Sequence, residues 1–115
     1  MRKLYRNVEQ KVVLLQNIID GDEQVDDELH AEIQEECMRH ASVKKVVISV
    51  QEITMAESEG NPAQLQNTIN VFVELASNED AKKLLNVMSG RYFAGRRISA
   101  RLYDQELYDQ NHLKI

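Results

Sequence analysis

The chain has no tryptophan, one cysteine and few aromatic residues, and each shortage excludes something. Among its 115 residues are four tyrosines and two phenylalanines, so any tryptophan at a binding surface must come from a partner. The single cysteine, Cys37, excludes an internal disulfide and suits a reducing compartment. No apolar run approaches the length of a membrane span, and the first residues lack the apolar segment of a signal peptide. We therefore expect a soluble intracellular protein that does not associate with membranes.

The charge of the chain also limits its function. The formal net charge is −5 and the pI is about 5.2, which argues against non-specific nucleic-acid binding because that depends on a basic surface. The charge is unevenly spread: residues 20–36 contain nine acids and no Lys or Arg, whereas residues 91–101 contain four arginines and no acid. These two segments are the candidates for a charge-based function.

The length is enough for one domain that buries a core without disulfides or metal. Residues 1–10 are mixed and polar and predict a flexible lead-in, so the single domain spans residues 11–115. The hydrophobic patterns predict strands at 11–17, 43–53, 68–75 and 98–102, and helices at 26–40, 77–89 and 104–111. A turn at 20–22 and a polar loop at 54–67 separate some of these elements.

This βαββαβ order predicts an α+β, ferredoxin-like fold: four antiparallel strands with two helices on one face and a short C-terminal helix. Alternation along the strands assigns five residues to the helix-facing side: Val13, Leu15, Ile69, Val71 and Val73. It assigns Leu14, Asn70 and Phe72 to the open face. We expect the C-terminal helix to cover part of that face, with Leu107 or Tyr108 over Leu14 and Phe72.

The segment at 90–95, Gly-Arg-Tyr-Phe-Ala-Gly, places two adjacent aromatic residues in the loop between a helix and a strand. Glycines at both ends permit positive φ angles, so a tight excursion of the backbone can hold the rings outward. Two large rings rarely both fit beneath one short loop. We expect Phe93 to be held outward, whereas Tyr92 is equally compatible with closing the core.

Glu28, Glu32 and Glu36 form an acidic ladder at i, i+4 spacing beside the apolar stripe of the first helix. Like charges at this spacing destabilise an isolated helix by roughly 0.2–0.5 kcal/mol per pair. A solvated helix face would more usually mix lysine with glutamate. We interpret the ladder as a binding surface for a basic partner, with an ordinary solvated face as the alternative.

Catalysis has little support in the sequence. The three histidines are scattered, and no grouping of nucleophile and base stands out. Cys37 and His40, at i, i+3, have a spacing that suits a shared metal ion, but Cys37 continues the apolar stripe. We therefore interpret Cys37 as a buried thiol and His40 as a partner of the helix dipole. No enzyme activity, cofactor or metal is expected.

Two strand sequences, Leu-Leu-Gln-Asn-Ile at 14–18 and Asn-Val-Phe-Val-Glu-Leu at 70–75, resemble those of an RNA recognition motif. That family stacks bases on aromatic side chains of these strands. Here Leu14 and Asn70 occupy two of the aromatic positions and only Phe72 keeps its ring, while Thr68 stands where a basic residue opens the motif. One aromatic residue on an acidic domain predicts weak or no RNA binding.

Two further segments, Glu35-Glu36-Cys37 and Gly90 to Arg96, resemble the U2-auxiliary-factor homology motif (UHM), a protein-binding subfamily found in splicing factors. The resemblance spans about residues 11–113. The run Tyr-Asp-Gln-Glu at 103–106 is most similar to the C-terminal domain of the half-pint family of poly(U)-binding splicing factors. In that family the domain follows two ordinary RNA recognition motifs, so we expect either an excised domain or an unusually short protein.

The resemblance implies a nuclear splicing module whose ligand is a short disordered peptide with basic residues leading into one tryptophan. The tryptophan would enter a pocket between the two helices against Phe93. Arg91 would lie over the indole and pair with Glu32 or Glu36, and Tyr92 would be structural or point away.

The same resemblance assigns the peptide's Arg or Lys residues to Asp26, Glu32 and Glu36. It implies three candidate partners: the large subunit of splicing factor 3b, the branch-point-binding protein and the large subunit of the U2 auxiliary factor.

Two other functions stay open on the sequence. The first is binding of single-stranded RNA through Phe72 with Arg97 and Arg101. The second is self-association, since an acidic helix and an arginine-rich edge on one small domain are complementary and suit a homodimer.

Overall fold

The computed structural model describes residues 9–18, 25–55, 64–93 and 95–113. The predicted turn at 20–22, residues 1–8 of the predicted lead-in and the centre of the predicted 54–67 loop lie outside these ranges. The elements are β1 (Val12–Gln16), α1 (Asp27–Met38), β2 (Val43–Met55), β3 (Gln64–Leu75), α2 (Asn78–Met88), β4 (Tyr92–Phe93), β5 (Arg96–Arg97), β6 (Ser99–Tyr103) and α3 (Gln105–Asp109). The predicted ferredoxin-like fold is confirmed: the main sheet is antiparallel, in the order β2-β3-β1-β6.

Strand β1 lies inside the sheet, between β3 and β6, and its apolar run is buried on both sides. Val12, Val13, Leu14 and Leu15 are all 0% exposed. A strand covered on both faces has an unbroken apolar sequence instead of an alternating one, which is why Val-Val-Leu-Leu suits this position.

The main core lies between the sheet and the helices α1 and α2. The five side chains predicted to face the helices are all in it, as the alternation indicates. Helix α1 contributes Leu29, Ile33 and Cys37, and α2 contributes Ala81, Leu84 and Met88. The i, i+4 spacing of the apolar residues therefore places each helix on the same face of the sheet.

Both long helices begin at side chains that accept from the first turn. In α1, Oδ1 of Asp26 accepts from the backbone N–H of Leu29 at 2.9 Å. In α2, Oγ of Ser77 accepts from the N–H of Asp80 at 3.2 Å. These caps satisfy N–H groups that have no partner within the helix, so the starts predicted from the sequence are confirmed.

A second, smaller core lies on the other face of the sheet. Its buried members are Val12, Leu14, Phe72 and Tyr103, and Tyr108 and Leu113 pack against them. Leu107 or Tyr108 was predicted to cover this face. Tyr108 packs against the cluster, whereas Leu107 lies outside it and is 37% exposed. The cap at Asp104, whose Oδ1 accepts from two N–H groups of α3, sets the helix phase that turns residue 108 toward the sheet.

The prediction of a loop over the whole of 54–67 is wrong at both ends. Strand β2 continues to Met55 and β3 begins at Gln64, with these two residues paired. The paired strands β2 and β3 therefore extend beyond the end of β1 at Gln16. Ladder hydrogen bonds join backbone groups and do not need apolar side chains, so the polar composition concealed these strand ends.

Residue Gln10, assigned to the lead-in from the sequence, connects the starts of α2 and α3. Its Oε1 accepts from the N–H of Gln105 at 2.6 Å, and its carbonyl accepts from Nδ2 of Asn78 at 2.7 Å. In return, Oε1 of Gln105 accepts from the N–H of Lys11 at 2.9 Å. The ordered domain therefore includes residues just before β1. None of the described helices is long and apolar enough to cross a membrane.

Candidate functional site

The predicted loop at 90–95 and the two arginines that follow it contain a small hairpin of β4 and β5. Gly90 has φ 78° and Gly95 has φ 81°, so each glycine takes a backbone conformation that other residues rarely adopt. The pairing continues at the base of the hairpin, where the N–H of Ile98 donates to the carbonyl of Arg91 at 2.7 Å. Strands of two residues are too short to produce a visible alternation, so no sequence pattern predicts them.

The two aromatic residues of the hairpin point in opposite directions. Tyr92 is 68% exposed, whereas Phe93 is partly buried and packs against the main core. The expectation that Phe93 is held outward is therefore wrong. Neighbouring residues of a strand alternate between its two faces, so when one ring faces the core the other must face solvent. The UHM resemblance left Tyr92 either structural or pointing away, and the outward direction agrees with the second of these.

Arg91 ties the hairpin to helix α1. Its Nη2 lies 3.1 Å from Oε2 of Glu36. The UHM resemblance implied Glu32 or Glu36 as the partner of Arg91. In the structure the partner is Glu36, whose side chain is 15% exposed. Because this carboxylate is largely shielded from water, its attraction to the guanidinium is less screened than between two fully exposed groups.

Glu36 contacts two more side chains besides Arg91. Nη1 of Arg39 lies 3.0 Å from Oε1, and Nε2 of His40 lies 3.1 Å from Oε2. The hydrogen bond with His40 is the main reason why the pKa of Glu36 lies below its ordinary value; burial opposes this effect, and the charges of Arg91 and Arg39 add to it. Both oxygens are thus already occupied. Glu36 therefore holds Arg91 in place, and its contact with a peptide's cation stays a prediction.

The other acids of α1 are differently placed. Asp27, Glu28 and Glu32 are exposed, and none of them makes an ion pair with another described residue. Asp26 is also exposed, but one oxygen caps the helix. Within the described ranges, two members of the predicted ladder are thus exposed without an ion-pair partner, and the first turn adds further negative charge.

Cys37 lies in the main core, as its place in the apolar stripe predicts. It is 0% exposed, and burial raises the pKa of its thiol to about 12. His40 contacts Glu36 and Arg91, so neither side chain is arranged to share a metal ion with the other. In the part of the chain that the structure describes, no three metal-binding side chains form a group.

The three residues predicted on the open face of the sheet, which are the candidates for residual RNA contact there, are all inaccessible. Leu14 and Phe72 are 0% exposed within the second core. Asn70 is also 0% exposed: its Oδ1 accepts from Nε2 of Gln16 at 3.0 Å, and its Nδ2 donates to Oε1 of Gln51 at 3.2 Å. Asn70 stands where an RNA-binding domain has an aromatic residue. Its amide instead links the amides of Gln16 on β1 and Gln51 on β2.

Comparison with known proteins identifies the relatives of this domain. The chain is 36% identical over 113 residues to the poly(U)-binding-splicing factor hfp of Drosophila melanogaster and 34% identical over 113 residues to the human poly(U)-binding-splicing factor PUF60. Each match covers 98% of this chain. The chain is a homologue of the half-pint splicing factors. The resemblance read from residues 103–106 is therefore confirmed.

Other comparisons agree with this family and define its extent. The human protein called splicing factor 45 is 35% identical over 98 residues, which is 85% of this chain. The chain spans about a fifth of the length of these relatives: 17% of hfp, 19% of PUF60 and 22% of splicing factor 45. No protein-family profile matches it.

Solved structures show the same fold. A computational redesign of the human U1A protein superposes with a TM-score of 0.61 at 14% identity, covering 91% of this chain and 96% of that one. The third RNA recognition motif of Mip6 gives 0.57 at 18% identity, covering 84% and 96%. The domain thus has the RNA-recognition-motif fold, which is consistent with a UHM.

Proposed function

We propose that this domain is a protein-interaction module of a nuclear pre-mRNA splicing factor and binds short basic peptides that carry one tryptophan. The observation that carries the proposal is the 3.1 Å contact between Arg91 and Glu36. It joins an arginine and an aromatic residue on one hairpin to the acidic helix α1. The two segments of opposite charge, which the sequence keeps far apart, are neighbours in the fold.

Each part of this surface suits one part of such a peptide. The tryptophan would enter between α1 and α2 against Phe93, with the Arg91 guanidinium over the indole as a cation–π partner. Its ring would supply most of the affinity, since tryptophan is prominent among binding hot spots. Asp27, Glu28 and Glu32 would attract the basic residues and raise the association rate more than the affinity.

Burial of the sheet surface favours a peptide over RNA as the ligand. A base that stacks on the sheet needs an exposed aromatic ring, and Phe72 is covered by the residues of the second core. Arg101 is exposed on β6 and is paired in register with Leu14, so this cation lies on a face where the ring of Phe72 is buried and offers no stacking surface. We propose weak or no RNA binding, and a binding function in place of catalysis.

The relatives named above are splicing factors, so the proposed partners come from the splicing machinery. They are the large subunit of splicing factor 3b, the branch-point-binding protein and the large subunit of the U2 auxiliary factor. Self-association through the acidic and arginine-rich surfaces would compete with the peptide for the same site.

Calorimetric titration with a basic peptide containing one tryptophan tests the proposal. We expect micromolar binding that is lost in the Trp→Ala peptide and reduced at least tenfold in Phe93→Ala. Tyr92→Ala, on the same hairpin but facing solvent, is the matched control and should change affinity by less than about threefold. Circular dichroism of Phe93→Ala separates lost binding from lost folding, and Glu32→Lys offers a second variant that leaves the core intact.

A parallel titration with labelled oligo(U) addresses the alternative. Binding of RNA that depends on Phe72 or Arg101, together with indifference to the tryptophan peptide, would reject the proposal. Sedimentation velocity over a range of concentration and salt would reveal self-association.

A further inference from the structure

The imidazole of His40 lies against both members of the ion pair between the hairpin and α1. Its Nε2 is 2.9 Å from Nη1 of Arg91 and 3.1 Å from Oε2 of Glu36. Nη2 of Arg91 is itself 3.1 Å from that oxygen. The three groups therefore form a closed triangle. The backbone N–H of His40 donates to the carbonyl of Cys37 at 3.1 Å, so the backbone that carries the ring is tied to the end of α1.

The proton on the imidazole decides which of these contacts is favourable. A ring nitrogen either accepts or donates a hydrogen bond, so Nε2 cannot serve Arg91 and Glu36 in the same way. If the neutral ring carries its proton on Nδ1, Nε2 accepts from Arg91, whose two terminal nitrogens then bridge His40 and Glu36. If Nε2 is protonated and the ring charged, it donates to Glu36 and becomes a second cation beside Arg91.

The charged groups around the ring make protonation unfavourable for the position of Arg91. Arg39, on the same helix, already lies 3.0 Å from the other oxygen of Glu36, and also 3.2 Å from Glu35. A charged His40 would be the third cation around one carboxylate. The neighbouring charges of Arg91 and Arg39 favour the ionised form of this carboxylate in either state of the ring.

We propose that His40 is a positioning residue of the peptide site, which holds the Arg91 guanidinium when neutral and releases it when protonated. This inference rests on the proposed peptide-binding function. Two effects act in the same direction as the pH falls. Arg91 loses its nitrogen acceptor, and the acidic surface gains a positive charge beside a basic ligand. The affinity for the peptide therefore decreases from pH 8 to pH 5.5.

Calorimetry with a histidine-free basic peptide carrying one tryptophan measures this effect at constant ionic strength. For the wild-type domain we expect a Kd about three- to tenfold higher at pH 5.5 than at pH 8. In His40→Gln the amide oxygen accepts from Arg91 at every pH, so its affinity should stay near the wild-type value at pH 8 and change little with pH. His40→Lys should bind weakly throughout.

His30→Gln is the matched control, because Nε2 of His30 contacts the carbonyl of Val46 at 2.8 Å on another side of α1. It should keep the wild-type pH profile. A wild-type affinity that is independent of pH, or a His40→Gln profile as steep as the wild type, would overturn the proposal.

Nitrogen-15 spectra of the free domain give a readout that needs no peptide. We expect the Nδ1–H form of His40 at pH 8 and an Arg91 guanidinium signal that shifts with the same midpoint as the His40 ring, and that does not shift in His40→Gln. An Arg91 signal unmoved by the titration of His40 contradicts the inference. If the signals are coupled but no peptide binds at any pH, the positioning of Arg91 stands and the proposed function fails.

Discussion

The ring of Tyr103 meets that of Phe72 edge-on, with their centroids 4.9 Å apart and their planes inclined by 70°. Tyr108 approaches the same phenylalanine, with centroids 6.3 Å apart. The hydroxyl of Tyr103 donates to the carbonyl of His112 at 2.7 Å, which holds the segment after α3 across the sheet. The surface that stacks bases in RNA-binding relatives of this fold is here an aromatic core made by the domain's own C-terminal segment.

Removing a ring from this core should destabilise the domain. Tyr108→Ala deletes a half-buried aromatic side chain and should lower the free energy of unfolding by about 2–3 kcal/mol, somewhat less than for a fully buried ring. Leu107→Ala is the matched control, because its side chain is 37% exposed and lies outside the cluster. Leu107→Ala should lower the free energy of unfolding by less than about 1 kcal/mol. Urea denaturation measures both, and equal losses would mean that α3 does not cover the sheet as described.

High pH should also weaken this core. Burial is the largest cause that raises the pKa of Tyr108 to about 12, and the charge and hydrogen bond of Glu74 add to it. Because the folded pKa lies above the unfolded value of about 10, the contribution to stability is complete below pH 10 and is lost as the pH rises to 12. Tyr108→Phe should therefore show a smaller loss of stability between pH 9 and pH 11.5. The midpoint of urea unfolding, measured against pH across this range, compares the wild type with Tyr108→Phe. The same decrease of the midpoint with pH in both proteins would contradict the raised pKa of Tyr108.

Acid should act on the other side of the molecule, at Glu36. Its folded pKa is depressed, so its ionised form contributes stability above the unfolded pKa of about 4.3, and the contribution disappears as the pH falls through the folded pKa. The stability difference between the wild type and Glu36→Gln should thus shrink between about pH 5 and pH 3. Glu35→Gln, which replaces a carboxylate paired with Arg39 alone among the described residues and 71% exposed, should show little change. A difference that stays constant down to pH 3 would disagree with the three-partner arrangement.

The two hairpin glycines offer a paired test of backbone strain. Both have positive φ, so alanine at either position should cost about 1–2 kcal/mol if the hairpin keeps its conformation. At Gly90 the added Cβ would also lie 3.3 Å from Nη2 of Arg97, whereas at Gly95 it meets nothing within 4 Å. We expect Gly90→Ala to be the more destabilising in thermal unfolding. Equal losses would show that Arg97 moves aside at no cost, and the opposite order would contradict the expectation.

The sequence predicted the parts of the fold that have a clear periodicity. The unbroken run in β1, the alternation in β3 and the stripe of Leu29, Ile33 and Cys37 each have one interpretation in terms of burial. The ends of β2 and β3 were missed because backbone pairing there continues through polar residues. Leu107 was offered beside Tyr108 because a helix as short as Gln105–Asp109 has too few turns to reveal its apolar face.

The candidate site was predicted less completely, and for a different reason. Arg91 and Glu36 were expected to pair because the UHM resemblance named both residue types. The contact between His40 and Arg91 joins positions separated by 51 residues, and nothing in the spacing of either segment indicates it. Of the three partners of Glu36, Arg39 and His40 lie at i+3 and i+4, whereas Arg91 comes from a distant segment and was expected only from the resemblance.

The aromatic core on the second face of the sheet has a consequence for synthesis. Until residues 103–113 have left the ribosome, Val12, Leu14 and Phe72 have no cover, although β1, β3 and both long helices are already made. Exposed apolar surface on an incomplete sheet favours aggregation. A recombinant fragment of this protein should therefore extend at least through Leu113, and a nascent chain that stalls before that point is the form most in need of a chaperone.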